Sequence, residues 1–167
     1  MDTWIVSDEL IALVRSLIPA GSTILELGSG RGTGVLGEHF KMISIEHDEK
    51  WLHQFPSRYI HAPIEKFRKQ CGVFPNDVAW YNRGVLRREL PKLPPYHLIL
   101  VDGPPNRYGR GGFYKWIDLF RTDVPMVFDD AHRGREQRLM AKLSAKLRRP
   151  YTVTGTWTEK HFGYIVP

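Results

Sequence analysis

Ile24-Leu25-Glu26-Leu27-Gly28-Ser29-Gly30-Arg31-Gly32-Thr33 passes from a short apolar run into glycines at every second position. An apolar run that ends in such a turn reads as a buried strand. Residues without a Cβ open positive φ and let a ligand lie against the backbone where the next helix begins. Glu46 stands at the end of the following apolar run, Met42 to Ile45, where a carboxylate can accept from both hydroxyls of a ribose. The turn, Glu26 before it and Glu46 after it together point to a nucleoside-binding strand, turn and helix.

A dinucleotide is the obvious competitor, because Gly32-Thr33-Gly34-Val35-Leu36-Gly37 satisfies the literal G-x-G-x-x-G spacing. Its position is wrong. Strand residues end at Leu27, so these glycines are expected inside the helix, and counting from Gly28 puts Thr33 where the third glycine belongs. Glu26 also brings a negative charge that suits a cationic aminoacyl sulfonium better than a pyrophosphate.

Outward from this turn, apolar runs rich in Ile, Leu and Val alternate with helical patterns, which predicts a mainly parallel sheet with helices on both faces. A helix from Ser7 to Leu17, capped by Ser7, precedes the strand Thr23 to Leu27, and the helix after the turn ends near Phe40. Met42 to Ile45 is the second strand, Glu49 to Phe55 a short helix, and Arg58 to His61 the third strand before Pro63 to Gln70. Cys71 to Pro95 breaks the rhythm with scattered prolines and is expected to be an irregular insertion with one short helix. His97 to Val101 and Val124 to Phe128 are further strands. Between them lie a mobile loop at Gly109 to Gly112 and a helix from Phe113 to Phe120. Leu139, Leu143 and Leu147 form the buried stripe of a basic helix spanning Arg133 to Arg149, and Tyr151 to Trp157 with His161 to Val166 reads as an antiparallel hairpin.

The 167 residues, 42% hydrophobic and 25% charged, suit one domain. Burial of roughly 70% of the unfolded surface makes structural staples unnecessary at this size. Cys71 is the sole cysteine, which excludes an internal disulfide and a multi-cysteine zinc site. No secretory pattern or membrane-length apolar run is visible, so a soluble cytoplasmic protein is expected. The balance of 24 Lys+Arg against 18 Asp+Glu gives +6, a mild attraction for polyanions. Most of the excess reads as a solvated helix face, and no recognisable nucleic-acid-binding motif accompanies it.

On these motifs the chain resembles the class I S-adenosylmethionine-dependent methyltransferases. Glu26 to Gly32 resembles their cofactor loop, Ser44-Ile45-Glu46-His47-Asp48 their ribose-binding strand end, and Leu98-Ile99-Leu100-Val101-Asp102 their fourth strand with its acidic tip. The resemblance implies a Rossmann-like α/β/α sandwich with a seven-stranded, mostly parallel sheet. It implies that Glu26 and the backbone of Gly28, Ser29, Gly30 and Gly32 support the aminoacyl part of S-adenosylmethionine. Glu46 would then bind the ribose, while His47, Ala62, Pro63 and Ile64 flank the adenine and Asp102 lies beside the reacting methyl.

Asp102 and Asp129-Asp130 end consecutive strands and are expected to converge, since ligands bind beyond the carboxyl ends of such sheets. Three carboxylates repel one another, and a hard cation such as Mg²⁺ would relieve the repulsion. The arrangement resembles the metal-dependent O-methyltransferases, although Gly103-Pro104-Pro105 stands where catechol-type enzymes place a lysine base. His132 is the expected substitute, with an unperturbed pKa near 6.5 that suits proton transfer at neutral pH. Arg107, Tyr108 and Arg110 are placed to contact the acceptor. That acceptor is expected to be a small molecule or saccharide hydroxyl rather than nucleic acid, with a homo-oligomer able to complete the pocket.

Overall fold

Strand β1 (Thr23–Leu27) is buried on both faces, and its alternation assigns each residue to a layer. Ile24 packs with the helix α1 (Asp8–Leu17) through Leu10 and Val14, and with Leu36 of α2 (Arg31–Gly37). Leu25 and Leu27 face the opposite layer. The computed structural model describes residues 8–69, 72–155 and 161–167; Ser7, Cys71 and Trp157 lie outside them.

The other strands of the main sheet are β2 (Lys41–Glu46), β3 (Arg58–His61), β6 (Leu98–Val101), β7 (Met126–Phe128), β8 (Tyr151–Thr154) and β9 (Phe162–Ile165). They stand in the order β3-β2-β1-β6-β7-β9-β8. β9 pairs antiparallel with both β7 and β8, while the remaining pairs are parallel. The sheet is therefore the seven-stranded, mostly parallel sheet with an antiparallel end that the sequence predicts, and β9 is wedged into it rather than appended. Neighbouring strands run away from β1 and β6 in opposite chain directions, so the crevice between these two is the topological switch point, where ligands bind in open α/β sheets. Gly32, Gly34 and Gly37 all lie inside α2, as the argument against a dinucleotide requires.

The second layer corrects several sequence expectations. Residues 72 to 95 of the expected insertion carry regular structure: β5 (Ala79–Tyr81) pairs antiparallel with β4 (Ile64–Lys66), and α3 (Arg83–Glu89) follows, capped by Asn82 accepting from the Val85 amide at 2.9 Å. Trp80 and Tyr81 are fully buried, and aromatic burial is what pins this segment to the core. The expected helix from Phe113 to Phe120 is instead α4 (Gly111–Lys115) followed by a 3₁₀ turn at Ile117–Leu119. Residues 109 to 112, expected as a mobile loop, are buried and lead into α4, and Gly112 lies so tightly on the Trp80 ring that no β-carbon would fit. Glu49–Trp51 is a single 3₁₀ turn. The basic helix, α5 (Gly134–Leu147), buries Leu139, Met140 and Leu143. Among the described residues no helix is long and apolar enough to cross a membrane.

Candidate active site

The turn after β1 is built by hydrogen bonds to two carboxylates. Gly28 adopts φ +96°, and its backbone meets Gly103 across the switch point: a methyl group on Gly103 would stand 2.9 Å from the Gly28 Cα and nitrogen. Glu26 is enclosed beneath the turn, where its Oε2 accepts from Thr33 Oγ1 at 2.7 Å and Ser44 Oγ at 2.9 Å. Burial dominates over these two donors and raises its pKa to about 8. Glu26, negatively charged as read from the sequence alone, is thereby held largely protonated at neutral pH in the folded chain.

Glu46 fastens the tip of β2 to the same turn. Its Oε1 accepts from the amides of His47 at 2.6 Å and Asp48 at 2.8 Å, and its Oε2 from the amide of Ser29 at 2.8 Å. Burial opposes its charge, yet the His47 ring and the amides of Asp48 and Ser29 outweigh burial and lower its pKa. Gly30 donates its amide to Thr33 Oγ1 at 3.1 Å as the helix begins.

Next to Glu46, the His47 ring stands edge-on to Tyr108 at 5.7 Å and to Tyr81 at 6.4 Å. Tyr108, expected on the acceptor side, thus closes against the residue expected beside the adenine. Arg107 stacks over Tyr108 with its guanidinium carbon 4.6 Å from the ring centre. Ala62 is buried, Pro63 exposed and Ile64 half-buried at the start of β4.

Tyr81, at the end of β5, packs beneath the same strand tips. Its hydroxyl is buried without a hydrogen-bond partner among the described residues and lies against Gly103, leaving no space there for a β-carbon. Burial raises the pKa of its phenol well above the usual range, and the carboxylates of Glu46, Asp102 and Glu26 add to the effect while Arg110 opposes it. An unpaired buried hydroxyl costs free energy unless a ligand satisfies it. The unpaired hydroxyl packed against Gly103 and the Glu46 carboxylate on the Gly28 turn supply polar groups that fit a small polar ligand, as S-adenosylmethionine would be.

At the neighbouring tips, Asp102, Asp129 and Asp130 do come together, with one oxygen of each within 4.8 Å of the others. The sequence reading did not foresee that Arg110 lies among them. The Arg110 side chain is 4% exposed and donates from Nη2 to the Asp102 carbonyl at 2.6 Å, to Asp102 Oδ1 at 3.3 Å and to Asp130 Oδ2 at 3.3 Å. Its Nη1 donates to the carbonyls of Asp129 at 3.1 Å and Val101 at 3.4 Å. Arg133 Nη1 approaches Asp130 Oδ2 to 2.7 Å, so a second cation engages the carboxylate of Asp130. With a guanidinium in this position the cluster does not fit a resident divalent ion. Arg110 is likewise an internal residue rather than an exposed contact for an acceptor.

Glu136, buried on α5 with Oε1 3.8 Å from Arg110 Nη1, was missed. Its signal was present, because it precedes Leu139, Met140 and Leu143 by three, four and seven residues and so shares their buried stripe. Asp77 was missed too: it accepts from the Gly111 amide at 2.5 Å and from Arg135, which fixes the backbone beside Arg110. His132 is exposed, with its ring 6.0 Å from that of His161. Asp102 keeps half of its side chain, 49%, open to solvent.

No protein-family model and no curated protein matches the chain. Solved structures do. A methyltransferase from Pyrococcus furiosus is similar over 99% of this chain and 85% of its own, with a TM-score of 0.57 at 12% identity. Aeropyrum pernix fibrillarin, solved with natively bound S-adenosylmethionine, is similar over 95% and 74%, with a TM-score of 0.57 at 14% identity. The human methyltransferase 10 domain containing protein is similar over 97% and 84%, with a TM-score of 0.52 at 12% identity. The chain has the Rossmann-like fold of the class I S-adenosylmethionine-dependent methyltransferases.

Proposed function

We propose that the protein is an S-adenosylmethionine-dependent methyltransferase acting on an oxygen nucleophile of a small molecule or saccharide. One observation carries this reading: the Gly28 turn lies at the switch point of the sheet with Glu26 beneath it, Glu46 bonded to its Ser29 amide, and half-exposed Asp102 at the adjoining tip. The cofactor, when bound, supplies a sulfonium methyl that an acceptor oxygen attacks as the carbon–sulfur bond breaks. Glu26 is placed to give up its proton to the surroundings and face the ammonium of the aminoacyl group. Among the described residues Glu46 Oε2 accepts from the Ser29 amide alone, which leaves it a lone pair for a ribose hydroxyl. His47 and Tyr108 would wall the adenine, and the Tyr81 hydroxyl beside Gly103 would donate to the bound ligand. Asp102 faces the acceptor, and His132 is the candidate to take the acceptor's proton.

Calorimetry with S-adenosylmethionine, S-adenosylhomocysteine and the decarboxylated cofactor tests the reading. Binding of the first two, lost in Glu46→Ala, together with S-adenosylhomocysteine production on a panel of hydroxylated acceptors, is the expected result. Preference for the decarboxylated cofactor would mean aminopropyl transfer. Binding without turnover on any acceptor would favour a non-catalytic module.

Nucleic acid is the second candidate acceptor, and one surface favours it. Lys115 lies 5.2 Å and 5.1 Å from the ring centres of Phe67 and Trp116, Arg83 stands 5.8 Å from that of Trp116, and Lys146 5.1 Å from that of Tyr114. Rings interleaved with cations suit single strands. A log–log salt slope near zero for RNA and DNA binding would exclude this acceptor class.

A further inference from the structure

The oxygens around Arg110 form the kind of cage that a hard cation selects. Carbonyls of Val101 and Asp102 at the tip of β6 and of Asp129 at the tip of β7 converge on it with carboxylate oxygens of Asp102, Asp130 and Glu136. Six oxygens on three elements around one side chain exceed what a surface ion pair needs, and a buried charge survives only when it is surrounded in this way. We propose that Arg110 is the resident cation of the active site: its guanidinium takes the place of a divalent metal at the acidic tips, holds Asp102 toward the acceptor, and makes the site independent of metal.

Two features of the geometry support this. First, Nη2 is equidistant, at 3.3 Å, from the Asp102 and Asp130 oxygens that a metal would need. An ion bonded to both at about 2.1 Å would compete for lone pairs already engaged and press a double positive charge on the guanidinium. Second, the arginine cannot easily leave, because the amide of Gly111 is tied to Asp77, which in turn is held by Arg135. Arg110 is a positioning residue, since it acts through Asp102. Its planar fork serves carbonyls and carboxylates at once, which a point charge does less well.

Mn²⁺ alone is the probe. Wild-type protein titrated with Mn²⁺ and followed by loss of the free-ion paramagnetic resonance signal should show no stoichiometric site up to millimolar concentration. Arg110→Ser should gain one site, and Asp130→Asn added to it should remove that site. Arg110→Lys, which keeps a positive charge, should remain without a site and covers the case in which Arg110→Ser fails to fold. A stoichiometric Mn²⁺ site in the wild type that disappears in Asp130→Asn would overturn the proposal, as would a folded Arg110→Ser that binds no Mn²⁺. Independence from metal in turnover rests on the methyltransferase reading: activity should be unchanged in EDTA, and loss of activity there would count against the proposal. Failure to bind S-adenosylmethionine would sink that reading while leaving the Mn²⁺ result to stand or fall alone.

Discussion

Gly28 and Gly103 meet backbone to backbone across the crevice between β1 and β6, and the Tyr81 hydroxyl closes the same space from below. Gly103→Ala would drive a methyl group to 2.9 Å from Gly28 and into that hydroxyl. Overpacking of this kind costs roughly 1–3 kcal/mol. Urea unfolding should show a loss of that size, and calorimetry should show cofactor binding abolished, because the shift falls on the floor of the site.

Tyr81→Phe separates ligand contact from packing. The variant removes a buried hydroxyl that has no partner among the described residues, so the ligand-free protein should gain about 1 kcal/mol, or about 2–4 °C in melting temperature. Affinity for S-adenosylmethionine should fall about tenfold. A purely packing role would move the first measurement and leave the second unchanged.

Glu26 should impose a pH dependence of known sign. Its folded pKa of about 8 lies above the ordinary 4.5, so the folded chain keeps a proton that the unfolded chain releases. The group's contribution to stability is therefore fully present below about pH 4.5 and is lost as pH rises to about 8. In Glu26→Gln, urea midpoints should no longer decline over that window. Cofactor binding at neutral pH should release a proton in the wild type, measured by calorimetry in buffers of differing ionisation enthalpy, and none in the variant.

Asp77 controls the segment that carries Arg110. Asp77→Ala strands the Gly111 amide and removes the carboxylate from Arg135, a loss of about 2–3 kcal/mol for hydrogen bonds to a charged group. Hydrogen exchange should accelerate at residues 110 to 113 more than in β1, where the ladder is untouched.

The parts of this molecule with a period were legible. Apolar runs gave β1, β2 and β6 within a residue or so, because buried parallel strands leave little room for polar residues. The acidic tips Glu46, Asp102 and Asp130 were legible because strand ends address the site by topology. What escaped was set by contacts distant in sequence. β5 is a three-residue strand that exists through its pairing with β4, and α4 ends early where Trp116 takes φ −121°. Arg110 looked like a surface arginine because glycines flank it. Those glycines reflect close packing on Asp77 and Trp80, and composition alone does not distinguish crowding from freedom.

Tyr108 and Arg110 lie two residues apart on one buried segment, and they serve opposite ends of the site: one leans on His47, the other on the acidic tips. In most enzymes the loop beside the chemistry is where lineages experiment with new substrates. Here a mutation in that loop disturbs the nucleoside wall and the acidic cluster together. Diversification is therefore channelled to the exposed rim at Asn106, Arg107 and His132, and changes in acceptor preference within this lineage should accumulate there while Tyr108 to Gly112 stays fixed.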